Sequence, residues 1–526
     1  MRTLKTAICW AALVCMTSTA SAQITGPTSS ASPYIVSTAD DWSVASLLTV
    51  GDSPRNNDSY QMIGIPDGLG ALGGRFDPDS GRYVAEPAFI TVFMNHELAA
   101  TAGAVHAHGQ PGAFVSQWTL HLNSLAVMSG EDLIRDVYTW NGTAYVRSTD
   151  TSARFGRFCS ADLPAWTAFY NPSSGRGFSD GIFMNGEEVG AEGRAFAHVV
   201  SGSSKGQSYE LPALGRFSWE NSLAHADAGD NTVVVGLDDS TPGQVYVYVG
   251  TKQFLGNPVE RAGLTGGKLY GIKVTDAIGA YPAGAVPLEN NGPINGNFEL
   301  VDVSGARASG AVLQAESVAR GITQFARPED GHWDTQDPRV FYFVTTGATV
   351  GTPQTSRLYK LTFDSIANPI GGTIELVVDS ADLVGDDGDT ARSFDNITVS
   401  GDGHVIVQED PGANAYIAKI WDVDPNNALD ALQIFESDRT RFLSGSGAFL
   451  TIDEENSGVI EITSLVGSAS WFDKGRRYYL GVTQAHYANG AVLVEGGQFY
   501  IIASADTQRE DADDDKQDAE DQNHDK

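Results

Sequence analysis

Apolar and polar residues alternate over short runs separated by Gly/Asp turns, and this arrangement recurs along much of the chain. TVVVGLDD, GQVYVYVGTK and GGKLYGIKV follow one another between 232 and 274. Similar pairs are RVFYFVTTG with SRLYKLTFD at 339–364, NITVSGDGHVIVQED with NAYIAKIWDVD at 396–424, and RRYYLGVTQAHY with GGQFYIIA at 476–503. Period-two alternation bounded by Gly and Asp predicts antiparallel hairpins, and no long helical periodicity competes with it. Loose repetition with insertions of unequal length predicts an all-β fold, a β-propeller whose blades surround a central channel, with a large β-sandwich as the alternative.

Charge narrows the partners. The 526 residues include 66 acidic and 33 basic side chains, a net charge of -33. Such a surface repels nucleic acid and anionic membrane and favours cations. At the N-terminus, Arg2 and Lys5 precede an apolar run from Thr6 to Met16 and the small residues Ala20-Ser21-Ala22. This pattern predicts a secretory signal peptide over 1–22, too short in its apolar part to span a bilayer, so the expectation is a secreted or periplasmic protein without a membrane anchor. The body would then run over 23–505. The tail 506–526 has no apolar residue larger than alanine and is expected to be disordered. Cys9 and Cys15 would leave with the signal. Cys159, alone in the remainder, is then buried, reactive or a ligand.

Several polar clusters interrupt the hairpins. They are Asn95-His96-Glu97, Cys159 with Glu187, Glu220-Asn221 in RFSWEN, Arg327-Pro328-Glu329-Asp330 and Asp395-Asn396. A weaker set contains Glu409-Asp410, Asp453-Glu454-Glu455 and His486. Carboxylates converging on a channel mouth would repel one another unless cations neutralise them. A soft thiolate beside hard carboxylates suits a transition metal, and further carboxylates suit calcium. Taken singly, each cluster also reads as a solvated turn. His106 and His108 have the spacing of a metal pair, set against a solvated H-x-H in a Gly/Ala loop.

GRFSWENSLAH at 215–225, TVVVGLDD, YVYVGTK, AGLTGGKLYGIKV at 262–274, RPED at 327–330, FDNITVSGDGHVIVQED at 394–410 and NHE at 95–97 together resemble the PhoX-type alkaline phosphatase family. The resemblance spans about 40 to 500 and implies a six-bladed β-propeller with calcium and a pair of ferric ions bridged by a cysteine. By motif, Cys159 would be that bridging thiolate, with Glu187 and Glu220 as carboxylate ligands. Arg327 would hold the substrate phosphate while Glu329 ligates metal, both at the catalytic centre. Asp395 and Asn396 fall in the calcium-side region, as do Glu409 and Glu454, and His96 and Glu97 would support the ligands. The implied activity is hydrolysis of small phosphomonoesters by a monomer. A noncatalytic calcium-binding propeller and a calcium-dependent lactonase-like hydrolase are the alternatives. The thiolate argues against the first, and the arginine, which an uncharged lactone does not require, argues against the second.

Overall fold

The computed structural model describes residues 23–77, 82–275, 289, 292–347 and 355–505. The expected signal segment and acidic tail lie outside the described residues. The alternating runs form antiparallel sheets arranged as six blades. Their innermost strands are Pro66–Gly73, Phe158–Asp162, Trp219–Ala224, Pro328–Trp333, Phe394–Val399 and Glu454–Glu461 in blades 1 to 6. Each packs against the next around the axis, and the sixth returns against the first. The expected propeller is therefore observed, and its blade number is the one the family resemblance implied.

Insertions elaborate this plan. Blade 2 gains the hairpin Asp136–Trp140 and Tyr145–Ser148, and blades 3 and 4 fuse at their outer edges, where Gly296–Asp302 pairs with Gly371–Asp379. The helix Gly310–Arg320, for which the sequence pattern gave no warning, begins where Glu192 Oε1 accepts from Gly310 N at 3.1 Å and ends at Gly321, whose φ of +69° suits a left-handed cap. No helix among the described residues is long and apolar enough to cross a membrane.

Because strand faces alternate, every blade presents apolar side chains to both neighbours. The core accordingly divides into six large clusters, each between adjacent blades. Phe93 and Val115 meet Phe183 and Phe196 between blades 1 and 2, for example, and Leu480 and Phe499 meet Trp118 and Val92 between blades 6 and 1. Burying each large apolar side chain contributes about 1.5–3 kcal/mol. A dozen or more per junction offset the cost of a polar axis. The circle is closed by an early strand, since Ser43–Thr49 pairs antiparallel with Gly496–Ala503 in blade 6. Ile35–Ser37 likewise completes blade 5 through Leu432–Ser437.

Candidate metal centre

One irregularity, repeated around the axis, builds the site. In blades 1 to 5 the inner strand starts in register with its neighbour at Pro66↔His96, Phe158↔Glu187, Trp219↔Asp238, Pro328↔Thr345 and Phe394↔Glu409. Two residues of the inner strand then oppose one of its partner, and the ladder resumes at Leu69, Ala161, Ser222, Gly331 and Ile397. Such bulges unpair two residues and re-aim their side chains. The bulged pairs are Asp67-Gly68, Cys159-Ser160, Glu220-Asn221, Glu329-Asp330 and Asp395-Asn396. Blade 6 offers Glu455-Asn456 in regular pairing, its own register shift coming later, between Ser457 and Val459. The result is an inner circle of Asp67, Cys159, Glu220, Glu329, Asp395 and Glu455, all buried. Gly68 needs its hydrogen side chain, because a Cβ there would sit 2.3 Å from Ala161 N.

An outer circle follows from the second strands. Glu97, Glu188, Asp239, Thr346, Asp410 and His486 each donate a backbone N–H, at 2.8–3.1 Å, to the carbonyl of Ile65, Arg157, Ser218, Arg327, Ser393 and Asp453 respectively. Two of these anchoring residues are arginines at equivalent places in blades 2 and 4, with φ of +41° for Arg157 and +62° for Arg327. Left-handed backbone at a non-glycine residue costs about 1–3 kcal/mol and collects at functional sites. Arg327 makes a two-pronged contact to Asp239 at 2.7 and 3.0 Å and reaches Glu329 at 2.9 Å. Arg157 bridges Glu97, at 2.6 Å, and Glu188.

Three overlapping groups hold ligand atoms within 4.8 Å of one another: Asp67–Glu97–Cys159, Cys159–Glu188–Glu220 and Glu220–Glu329–Asp395. The Cys159 sulfur is common to the first two and Glu220 to the last two, so the groups form a row of three adjoining candidate cation positions. The donor set fits the implied metals. A thiolate shared by two positions is what a bridged transition-metal pair requires, and the all-carboxylate third group suits calcium. Asp395 Oδ1 and Asn396 Oδ1 are buried without a hydrogen-bond partner, as groups awaiting a cation would be.

Electrostatics agrees. Burial, then Glu97 and Glu455, hold the Asp67 carboxyl well above its ordinary range. Burial followed by Glu329 and Glu188 does the same to Glu220, and burial followed by Glu329 and Glu455 to Asp395. The Cys159 thiol is also pushed up, by burial and then by Asp67 and Glu220. Bringing so many acids together is unfavourable unless positive charge joins them, and loading a cation must release protons.

The structure thus brings together Cys159, Glu220, Glu329, Asp395 and Arg327, with Asn396 just below, donating to Ser160 Oγ at 2.7 Å. Three expected ligands lie elsewhere, each displaced by one residue. Glu187 points outward into a two-pronged pair with Arg194 at 2.6 and 2.7 Å, and Glu188 faces the axis instead. Glu409 turns into the blade, accepting from Tyr416 Oη at 2.8 Å, Trp421 Nε1 at 3.0 Å and Lys419 N at 2.8 Å, while Asp410 joins the outer circle. Glu454 accepts from Ala418 N at 3.2 Å, and Glu455 takes the axial position. The reason is strand alternation, which sends consecutive carboxylates to opposite faces. The sequence reading missed Asp67, Arg157 and Asp239 altogether. The recurring triplets PDG, FCS, WEN, PED, FDN and EEN, each opening an inner strand, were the available signal.

Glu187 then has a structural task, which can be checked. Arg194 also donates to the carbonyls of Ser152 and Arg154, at 2.9 and 2.7 Å. Glu187→Gln is expected to lower denaturant stability by about 3 kcal/mol by stranding a mostly buried guanidinium. Its turnover should stay within threefold of the parent's, whereas Glu188→Gln should lose most of it, as phosphate release by the folded proteins would show.

Residues 199–429 match the family model described as alkaline phosphatase PhoX. In fold the chain is similar to Pseudomonas fluorescens PhoX, solved in complex with vanadate, a transition state analogue; identity is 12%, the TM-score is 0.61, and the likeness covers 92% of this chain and 98% of that one. BBS1N in complex with ARL6DN (8% identity, TM-score 0.31, 86% of each chain) and the α-L-arabinofuranosidase PaAbf62A from Podospora anserina in complex with cellotriose (9%, 0.29, 87% of this chain and 96% of that one) are too remote to carry an argument. No curated protein matches. The resemblance drawn from the motifs is borne out by the family-model match over 199–429 and by the shared fold.

Proposed function

We propose that this PhoX-like chain is an exported, metal-dependent phosphatase that hydrolyses small phosphomonoesters at the acidic mouth of its propeller, with calcium and a cysteine-bridged iron pair as its resident ions. The observation that carries the reading is the row of three cation positions joined through Cys159 and Glu220, set between two arginines. Cations held there would neutralise the charge that builds on the phosphoryl oxygens and polarise water. The protein's own contribution is placement. Asp239 grips one edge of the Arg327 guanidinium and Glu329 takes a further Nη2 contact, so the group has a fixed direction and can turn its Nη1 side to a phosphate oxygen. Thr346 Oγ1 donates to Glu329 Oε1 at 2.5 Å and aims that carboxylate. Ser160 Oγ donates to Glu220 Oε1 at 2.5 Å and itself accepts from Asn396, so the bulged residues of blades 2, 3 and 5 orient one another. Held this way, the ligands need little rearrangement as charge develops.

The proposal is tested by elemental analysis of the purified protein together with phosphate release from an aryl phosphate, with and without chelator. Two irons with calcium, and turnover that chelation abolishes, are expected; calcium without turnover would leave the noncatalytic propeller. Arg327→Lys preserves charge and loses the fork, and is expected to lower kcat/KM about 100-fold, roughly 2.7 kcal/mol of transition-state stabilisation. An unchanged value would remove Arg327 from the phosphate.

A further inference from the structure

The loop after the second strand of blade 1 carries two histidines that the proposed chemistry leaves unused. His106 and His108 are not the solvated pair that a Gly/Ala loop suggests, since their relative exposures are only 9% and 7%. The turn that holds them closes through His106 N to Gln110 O at 3.0 Å and Gly109 N to His106 O at 2.8 Å, with Gly109 at a φ of +88°. Their rings lie within 8° of parallel, with centres 6.2 Å apart. His106 is backed by Phe114, at a centroid distance of 3.6 Å, and His108 by Phe155 at 5.1 Å.

His106 Nε2 and both ring nitrogens of His108 are buried with no hydrogen-bond partner. A neutral imidazole always carries one donor and one acceptor, so whichever tautomer His108 adopts, both its polar atoms go unsatisfied. Buried polar groups are rarely left so. On the other side of His106, Nδ1 faces Asp132 Oδ2 at 3.4 Å, and that carboxylate is itself fixed by Tyr60 Oη and Ala107 N, both at 2.8 Å. A carboxylate behind one imidazole nitrogen with the other nitrogen free is the usual support of a metal-ligating histidine. Two imidazoles sharing one ion at about 2.0–2.1 Å per bond have ring centres about 5 Å apart around a tetrahedral ion and a little over 6 Å apart when their nitrogens face each other across it, and the observed spacing matches the second arrangement.

We infer that His106 and His108 form a second, nitrogen-donor site for one transition-metal dication of the zinc, copper or nickel class, separate from the carboxylate row. Neutral nitrogen donors favour these ions over calcium. The loop that carries the pair lies at the surface, with Val105 69% exposed. Through Phe114 the pair stacks towards His96, whose ring centre lies 4.3 Å from that phenyl, and an ion here would pin the loop whose Leu98 carbonyl accepts from Arg157 N at 2.8 Å.

The test uses the full chain, stripped with chelator and reloaded with calcium. Copper(II) is then titrated while electron paramagnetic resonance is recorded. One equivalent with nitrogen hyperfine structure is expected, surviving in Cys159→Ala and in Glu455→Gln, which weakens any competing site at His486. It should disappear in His106→Gln/His108→Gln. Asp132→Asn, which keeps both imidazoles, should weaken binding about tenfold or more. If the double variant does not fold, His108→Gln alone is read for a loss of at least about a hundredfold in affinity. A copper signal from oxygen and sulfur donors only, or nitrogen binding unchanged in the histidine variants, would overturn the site. None of these readouts depends on phosphatase turnover.

Discussion

Glu220→Gln will lose at least about a thousandfold in phosphate release and yet unfold later than its parent in chelator. Both halves follow from its place at the junction of two cation positions. Its side chain is almost fully buried and its oxygen is held by Ser160, so a glutamine fits the space but cannot neutralise two ions. Without ions the parent carries a carboxyl that burial, Glu329 and Glu188 all disfavour in its charged form. A neutral isostere removes that cost, and a gain of about 1–3 kcal/mol is expected in the stripped protein. Cys159→Ala should match the loss of turnover, because it removes the atom shared by the first and second positions, and the two defects together should cost little more than either alone. Thermal melts with chelator and phosphate release with ions measure both halves. A Glu220→Gln protein within tenfold of parental activity would mean that the row of positions is not the catalytic centre.

The stripped protein should lose stability steeply between about pH 6.5 and about pH 8.5, with a fall in Tm of about 10 °C or more, and calcium should restore it. The direction follows from which state holds protons. Asp410 is pushed up to about 7 by burial and then by Glu455, Glu454 to about 8 by burial, and Asp67, Glu188, Glu220, Glu329 and Asp395 lie well above their ordinary range, with burial the leading cause in each. Above pH 6.5 the unfolded chain has already released these protons while the folded chain still keeps many of them. Rising pH therefore favours unfolding until the folded groups titrate. Paired acids such as Asp132, held at about 2 despite burial by its contact with His106, contribute their full stability well below this window. Burial depresses His96 to about 3 and His198 to about 3, so their benefit is complete once the unfolded histidines lose their protons near pH 6.5. Two paired histidines lose stability in the same direction over this window, His404 held up to about 9 by Asp422 and His486, despite burial, to about 11 by Glu455 and Glu495, so the share of the acids is the part that calcium restores. A flat profile in chelator would show that they are not crowded as described.

Period-two alternation was enough to read the hairpins and their order, because strand faces that bury apolar residues between blades leave that pattern directly in the chain. The motifs that pointed to Cys159, Glu220, Glu329 and Asp395 are the bulged pairs themselves, where a polar residue interrupts an otherwise apolar strand start. Adjacent acids were harder. In Glu187-Glu188, Glu409-Asp410 and Glu454-Glu455, only the strand register decides which carboxylate faces the axis, and register depends on a partner strand elsewhere in the chain. Asp67 was hidden in PDG, which reads as a turn, although it opens the inner strand of blade 1. The burial of His106 and His108 is not legible in a loop rich in small residues, because the covering phenyls of Phe114 and Phe155 are tertiary neighbours of that loop.

The strand Ser43–Thr49 seals blade 6, and this decides when the site can come into being. Asp67, in the first blade, is held by Gln484 of the last, whose Nε2 donates to Asp67 Oδ2 at 2.9 Å and to Glu97 Oε2 at 3.1 Å. A chain emerging from its N-terminus has presented every residue of the three cation groups by Asp395, yet it cannot fix the first group until Tyr478–Ala485 and Gly496–Ala503 have been made and have captured the waiting early strand. Capture of an ion by the first group would therefore be a late event in assembly. An ion held there would mark a finished circle, because the carboxylates of Asp67 and Glu97 are tied together only once Gln484 of the last blade is in place.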